Sequence, residues 1–168
     1  PLLLLLVFVY SGLAIAGLRL TALMAAVISL TLCYGAYSAE IFRAGIQAIS
    51  KGQTEAARSL GMSGGQAMRY VILPQAVKLV VPPLTNEFIA MIKDTSLLSV
   101  ISVPELLFTA KDKMGVVANP TPLTVAAIIY VVFTIPLIRV AAKLEKRKRT
   151  SGASKPADAA IPHGGEMH

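Results

Sequence analysis

Residues 52–74 read GQTEAARSLGMSGGQAMRYVILP, a polar, small-residue interruption between strongly apolar segments. The pattern predicts two short helices joined at a glycine. Thr54 or Gln53 opens the first, and Ala56, Ala57 and Leu60 give it a compact apolar face. Gly61 suits the left-handed position that ends such a helix. Ser63 and Gln66 then have capping-box spacing, so a second helix is expected to begin there. Alanines and glycines on an exposed helix let another protein approach closely. By its residue types the stretch is a docking element rather than an active site.

The segments around it are expected to lie in a membrane. The chain has 168 residues, of which 55% are apolar, and its charges are few and clustered; its mean hydropathy is +0.67. Leu20 to Ala39 is a run of 20 residues without a charge, and Met114 to Ile138 one of 25. A helix needs about 20 apolar residues to cross the hydrocarbon core, where its backbone must satisfy itself. The competing reading, a soluble protein with very apolar core helices, fits these long uncharged runs poorly. Cys33 is the one cysteine and lies inside an apolar run, so it is expected to pack rather than to pair. No charged segment or cleavage site precedes the first apolar run, which argues against a signal peptide. The formal net charge is +7, and Lys143 to Arg149 holds five basic residues and one acid directly after the last apolar run. Basic residues abutting a membrane helix mark the cytoplasmic side and attract anionic lipid, so nucleic acid is not the expected partner.

In order, residues 1–17 read as one membrane helix and Leu20 to about Ile49 as a second, with Arg19 in the turn between them. Near the end of the second, Glu40 and Arg43 have the spacing of a local ion pair. Ala22, Ala25, Ala26 and Ser29 form a small-residue stripe suited to close packing. The loop at about 50–73 has a basic excess and is expected to be cytoplasmic. A third helix is expected from near Arg69 to about Lys93, broken or kinked at Pro82-Pro83 near the bilayer midplane. Leu97 to Ala110, with Pro104 and Glu105 inside it and Lys111 to Lys113 closing it, looks re-entrant or interfacial. A turn at Asn119 to Pro122 leads to the last helix, Leu123 to about Ala142. Residues 149–168 are expected to be a disordered cytoplasmic tail, and His163 and His168 within it are assigned nothing.

Chemistry-bearing motifs are scarce. The glycines at 61, 64 and 65 lack the following Lys-Ser/Thr of a phosphate-binding loop. No paired Cys or His suggests a metal site, and no nucleophile–base pattern suggests an enzyme. The remaining candidates are polar residues within or beside the third helix. Asn86 and Glu87 follow the double proline by one turn, and an intramembrane carboxylate suggests either a transport path or a buried partner. Lys93 and Asp94 are expected near the outer surface, either in the path or as an interfacial ion pair. Glu87, with Asn86 and Thr85 as donors, would suit a substrate carrying both ammonium and carboxylate.

Glu55, Ala56, Ala57, Gly61, Leu73 and Pro74 resemble the EAA loop of permease subunits of ATP-driven importers, in which Glu-Ala-Ala, three residues, Gly, nine residues, Ile, one residue and Leu-Pro follow in order. Val71 stands where isoleucine is usual. The flanking stretches AEIFRAGIQAI (39–49), RYVILPQA (69–76) and PPLTNEFIAMIKDTSL (82–97) are similar to the polar amino acid permeases of type I ABC importers, the histidine, glutamate, glutamine, arginine and opine type. The likeness spans residues 1 to about 148. It implies an all-α, polytopic, MetI-like permease domain over 1–148 in the bacterial cytoplasmic (inner) membrane. It implies that an ATP-binding cassette subunit docks on the loop, with Ala56 and Ala57 at the seat, Gly61 at the turn and Glu55, Arg58 and Arg69 at the rim. ATP and Mg would be bound by that subunit, with no cofactor in this chain. A second permease subunit, identical or homologous, and an extracytoplasmic solute-binding protein complete the implied assembly. Family members carry further N-terminal helices, so the chain is expected to be a fragment or to have a mis-called start. The alternatives are a gradient-driven carrier or channel, and a truncated, non-functional remnant.

Overall fold

The computed structural model describes the backbone of residues 1–152 and the side chains of residues 1–143, and every described element is helical. The first apolar run forms α1 (Leu2–Val7), a π turn (Phe8–Gly12) and α2 (Leu13–Ile15) in continuous succession. The wide turn falls where Leu13 N–H reaches Phe8 O, five residues back. Gly12 belongs there because a Cβ would stand 2.9 Å from the Phe8 ring. Gly17, at φ +94°, ends the run. Thr21 then caps α3 (Ala22–Gln47) by accepting from Met24 N–H.

The small-residue stripe packs as expected. Ala25, Ala26 and Ser29 of α3 are buried, and the two alanines share a core with Leu6, Val9, Leu98, Ile101 and Val103. Glu40 and Arg43 make the local ion pair at 3.6 Å. The other face of α3 presents Leu23, Met24, Val27 and Ile28 outward, as does α8 (Thr121–Gly152) with Ile128, Val131, Val132 and Phe133. Ala22–Gln47 and Thr121–Lys143 are both long and apolar enough to cross a membrane.

Between them lie α4 (Lys51–Ser59), α5 (Gly64–Ala67), a second π turn (Met68–Ile72) and α6 (Leu73–Asp94). The third helical run thus begins at Gly64, ahead of the expected Arg69. The π turn immediately precedes Pro74. A proline ring clashes with the carbonyl four residues back, here that of Tyr70, and a widened turn relieves that clash.

The structure relocates the expected break. α6 runs through Pro82 and Pro83 without interruption, although neither ring nitrogen can donate to the Lys78 or Leu79 carbonyl. The flanking turns carry the helix across, Pro82 is buried, and Thr85 Oγ1 donates to Val81 O at 2.8 Å. The interruption comes at residues 95–105. There Thr95 and Ser96 hydroxyls donate to the Ile92 and Lys93 carbonyls, at 2.6 and 2.8 Å, and compete with the helical ladder. A 3-10 helix (Thr95–Ile101) follows, ending at Ser102 in the left-handed region with φ 61°. Pro104 holds Val103 out of helical conformation. Glu105 then caps α7 (Leu106–Val117) by accepting from Leu107 and Phe108 N–H at 2.7 and 2.6 Å. Lys111 to Lys113 lie inside α7 rather than at its end. Its first turn is capped by a carboxylate, and nothing in residues 111–117 breaks a helix before Ala118 turns left-handed at φ 48°.

Asn119 forms the expected turn, its Oδ1 accepting from Thr121 N–H at 2.9 Å. α8 continues to Gly152, past the expected end near Ala142. Residues 143–149, KLEKRKR, are all good helix formers. Residues 149–152 of the expected tail are therefore helical, and the rest of that tail lies outside the described residues.

Candidate functional site

The 50–73 loop is a built structure at both ends. α4 starts at Lys51 rather than at Gln53 or Thr54, because Ser50 takes the cap position and accepts from Gly52 N–H at 3.3 Å. Gly61 closes it at φ +84°. There Met62 N–H donates to Ala57 O and Gly61 N–H to Arg58 O, the paired bonds of a Schellman turn. The predicted capping box is present: Gln66 N–H donates to Ser63 Oγ at 3.3 Å, and Ser63 N–H to Gln66 Oε1 at 2.8 Å. Ala57, expected at the partner's seat beside Ala56, is instead buried at 3% exposure, because α4 packs that side on α5 and on the π turn, while Leu60, expected on the same face, is exposed. Glu55, Ala56, Arg58, Gly61 and Arg69 are exposed, and none of the charged three pairs with another among the described residues. The loop is a fixed short helix presenting alanine and unpaired charge outward.

The four polar candidates of α6 divide between two neighbours. Val80, Glu87 and Asp94 recur every seven residues and so share one helix face. At one end of that face Val80 Cγ2 occupies the place a Cβ on Gly45 would take; at the other, Tyr34 Oη donates to Asp94 Oδ2 at 2.7 Å. Both partners belong to α3, so Glu87, half-buried, lies on the α3 side between them. Asn86 and Lys93 repeat on the adjacent face and are exposed. Lys93, with Ser96, Tyr130, Val131 and Thr134, lines a cavity of about 310 Å³ between α6 and α8.

Tyr34 is at the middle of α3, so Asp94 stands beside the middle of that helix. Lys93 likewise meets α8 near the middle of Thr121–Lys143. Pro82-Pro83 lies about 18 Å from Asp94 along α6, toward the α4 end, at 1.5 Å per residue. The alternative ion pair of Lys93 with Asp94 does not form; neighbouring residues point 100° apart, and tyrosine supplies the carboxylate's partner.

Three residues at this level were not anticipated. Tyr34 joins Asp94 and sits edge-on to Tyr37, with ring centroids 6.4 Å apart. Glu105 and Tyr130 meet at 3.2 Å, Tyr130 Oη donating. A tyrosine inside an apolar run was the available signal, since its hydroxyl needs a partner there. Ser29 Oγ is buried without a partner. Among the described residues no group of three or more His, Cys, Asp or Glu converges as a metal would require.

Residues 1–150 match the family model described as "Binding-protein-dependent transport system inner membrane component". The chain is 44% identical over 156 residues to a probable glutamine ABC transporter permease protein, GlnM, of Bacillus subtilis (strain 168), covering 90% of this chain and 70% of that one. It is 38% identical over 154 residues to the glutamine transport system permease protein GlnP of Escherichia coli (strain K12), with 89% and 69% covered. To the arginine transport system permease protein ArtQ of Bacillus subtilis (strain 168) the identity is 37% over 153 residues, with 90% and 70% covered. The crystal structure of an amino acid ABC transporter with histidines superposes with a TM-score of 0.81 at 44% identity, over 88% of this chain and 69% of that one. The expected all-helical importer-permease fold is therefore the fold observed.

Proposed function

The chain belongs to the binding-protein-dependent transport system inner membrane components, the permease subunits of ABC importers, and on that premise we propose that it forms the path for a polar amino acid and takes its drive from an ATPase docked on α4. The observation that carries the reading is the pair of opposite charges level with the middles of α3 and α8. Asp94 is held by Tyr34 on one side of α6, and Lys93 lines a hydroxyl-bordered cavity on the other. In this reading both lie within the membrane, where charges are costly and need a purpose. A zwitterion offers an ammonium for Asp94 or Glu87 and a carboxylate for Lys93, with Asn86 as a neutral donor. The glutamine and arginine named for its relatives are substrates of this class.

The docking half rests on the loop. A partner that closes on ATP and Mg must push on a stiff element, and α4 is capped, Schellman-terminated and seated on α5. Ala56 gives close approach, while Glu55, Arg58 and Arg69 supply rim charges. In this reading the loop and the C-terminal end of α8 face the cytoplasm. A second permease, identical or homologous, encloses the path, and an extracytoplasmic binding protein delivers substrate. Closure of the ATPases opens the path outward, and hydrolysis resets it inward.

The test is uptake of a labelled amino acid panel into proteoliposomes containing the complete complex, with and without ATP on the ATPase side. ATP-dependent uptake that is lost in an Ala56→Trp variant, at the exposed alanine of α4, is the expected result. Uptake driven by an imposed ion gradient without ATP would overturn the reading.

A further inference from the structure

We propose that Gln75 is a positioning residue that ties the docking helix directly to the membrane helix, through an amide bridge to Gln53. The proposal rests on the docking role of α4 given above and adds the route by which its displacement reaches α6. Gln53 lies in the first turn of α4 and Gln75 in the first turn of α6, 22 residues apart in sequence. Gln75 Nε2 donates to Gln53 Oε1 at 3.2 Å and to the Val71 carbonyl at 2.8 Å. A backbone carbonyl only accepts, so the Val71 bond fixes which end of the Gln75 amide is nitrogen. The second N–H is then left pointing at Gln53. The Val71 bond also ties the side chain to the π turn at the head of α6, so that a shift of Gln53 pulls on that junction rather than swinging a free rotamer.

Along the chain, α4 reaches α6 through the Gly61 turn, the four residues of α5 and the π turn, on which it also packs. The bridge adds a direct side-chain link from the first turn of α4 to the first turn of α6. Among the described residues it is the only side-chain hydrogen bond from α4 to a membrane helix. Beyond Gln75, α6 is uninterrupted to Asp94, where Tyr34 is bound. α6 thus runs from the bridge to the carboxylate that Tyr34 holds, and Gln53–Gln75 is where the docking helix attaches to it.

The test uses the reconstituted full complex and reads amino acid carried per ATP hydrolysed. Gln75→Leu and Gln53→Leu should each lower that ratio about fivefold, and the double variant no further. Gln53→Glu should keep the ratio, because its carboxylate still accepts from Gln75. Gln75→Glu should lose it, because a carboxylate cannot donate to Val71 O or to Gln53. A packing role alone would not distinguish these two isosteric changes. An unchanged ratio in Gln75→Leu, or equal effects of the two glutamates, would overturn the proposal. Retention of the ATPase subunit on purification, compared between Ala56→Trp and the parent, separates the two levels. Retention lost in Ala56→Trp while the Gln75 variants stay coupled refutes the bridge alone; retention unaffected in Ala56→Trp refutes the docking reading and the bridge with it.

Discussion

Replacing Tyr34 with phenylalanine deletes one oxygen and leaves the ring in place beside Tyr37. The lost contact is the 2.7 Å bond to Asp94 Oδ2. A hydrogen bond to a charged acceptor contributes about 1.5–3 kcal/mol. Asp94 is half-buried, so water replaces part of the loss, and the low end of that range applies, about 1.5 kcal/mol or roughly tenfold. If Tyr34 acts by holding the carboxylate toward the path, the cost falls on substrate recognition. The expected outcome is a rise in the KM for uptake of about tenfold, with the complex still assembled. The partner measurement is the same change in an Asp94→Asn background, where the hydroxyl has no carboxylate to orient and the penalty should shrink to about twofold. An unchanged KM in Tyr34→Phe, or an equal penalty in both backgrounds, would refute the reasoning.

Four further outcomes are expected. Gly61→Val should lower the unfolding temperature in detergent and weaken ATPase retention, since φ +84° costs a branched residue about 1–2 kcal/mol; nothing lies within 4 Å of a Cβ there, so Gly61→Asn should be much milder. Gly45→Ala should destabilise by about 1–3 kcal/mol through overpacking, because its new methyl meets Val80 Cγ2, and adding Val80→Ala should recover most of the loss in the same melt. Glu105→Ala should cost about 1–2 kcal/mol as a lost cap, with Glu105→Gln intermediate by thermal unfolding, because an amide oxygen can still accept from Leu107 or Phe108. Lys93→Gln should weaken competition by amino acids but not by the corresponding amines lacking a carboxylate, measured as inhibition of uptake.

The fold was legible wherever one local signal was unopposed. Ser63 with Gln66, Gly61, and Asn119 ahead of Thr121 are short-range devices, complete within a few residues, and all formed as read. The stripe of Ala25, Ala26 and Ser29 was readable because small residues at helical spacing have few uses other than close packing. Of the break or kink expected at Pro82-Pro83, no break forms, because the helix is carried across by its flanking turns. The true interruption depended on hydroxyls at Thr95 and Ser96 bonding backward, a signal available in sequence but weaker than a double proline. Pairings across elements, Tyr34 with Asp94, Tyr130 with Glu105 and Gln53 with Gln75, span too much sequence for any periodicity to register.

The division of charge on α6 has a geometric consequence for recognition. Successive residues on a helix are separated by 100°, so Lys93 and Asp94 cannot neutralise one another without distorting side chains, and each is taken up by a different neighbour. α3 fixes the position of the anion through Tyr34, and α8 borders the cation through Tyr130 and Thr134. The helix face between these two edges therefore carries separated opposite charges at one depth. In the proposed reading this matches a zwitterion, whose own charges are separated by a few ångströms and point opposite ways. A collapsed Lys93–Asp94 pair would have left that face without charge to offer. The same separation makes recognition depend on how α3 and α8 sit against α6, so a rigid α6 attached at Gln53 would change the site by moving relative to both neighbours, without any rearrangement inside the helix itself.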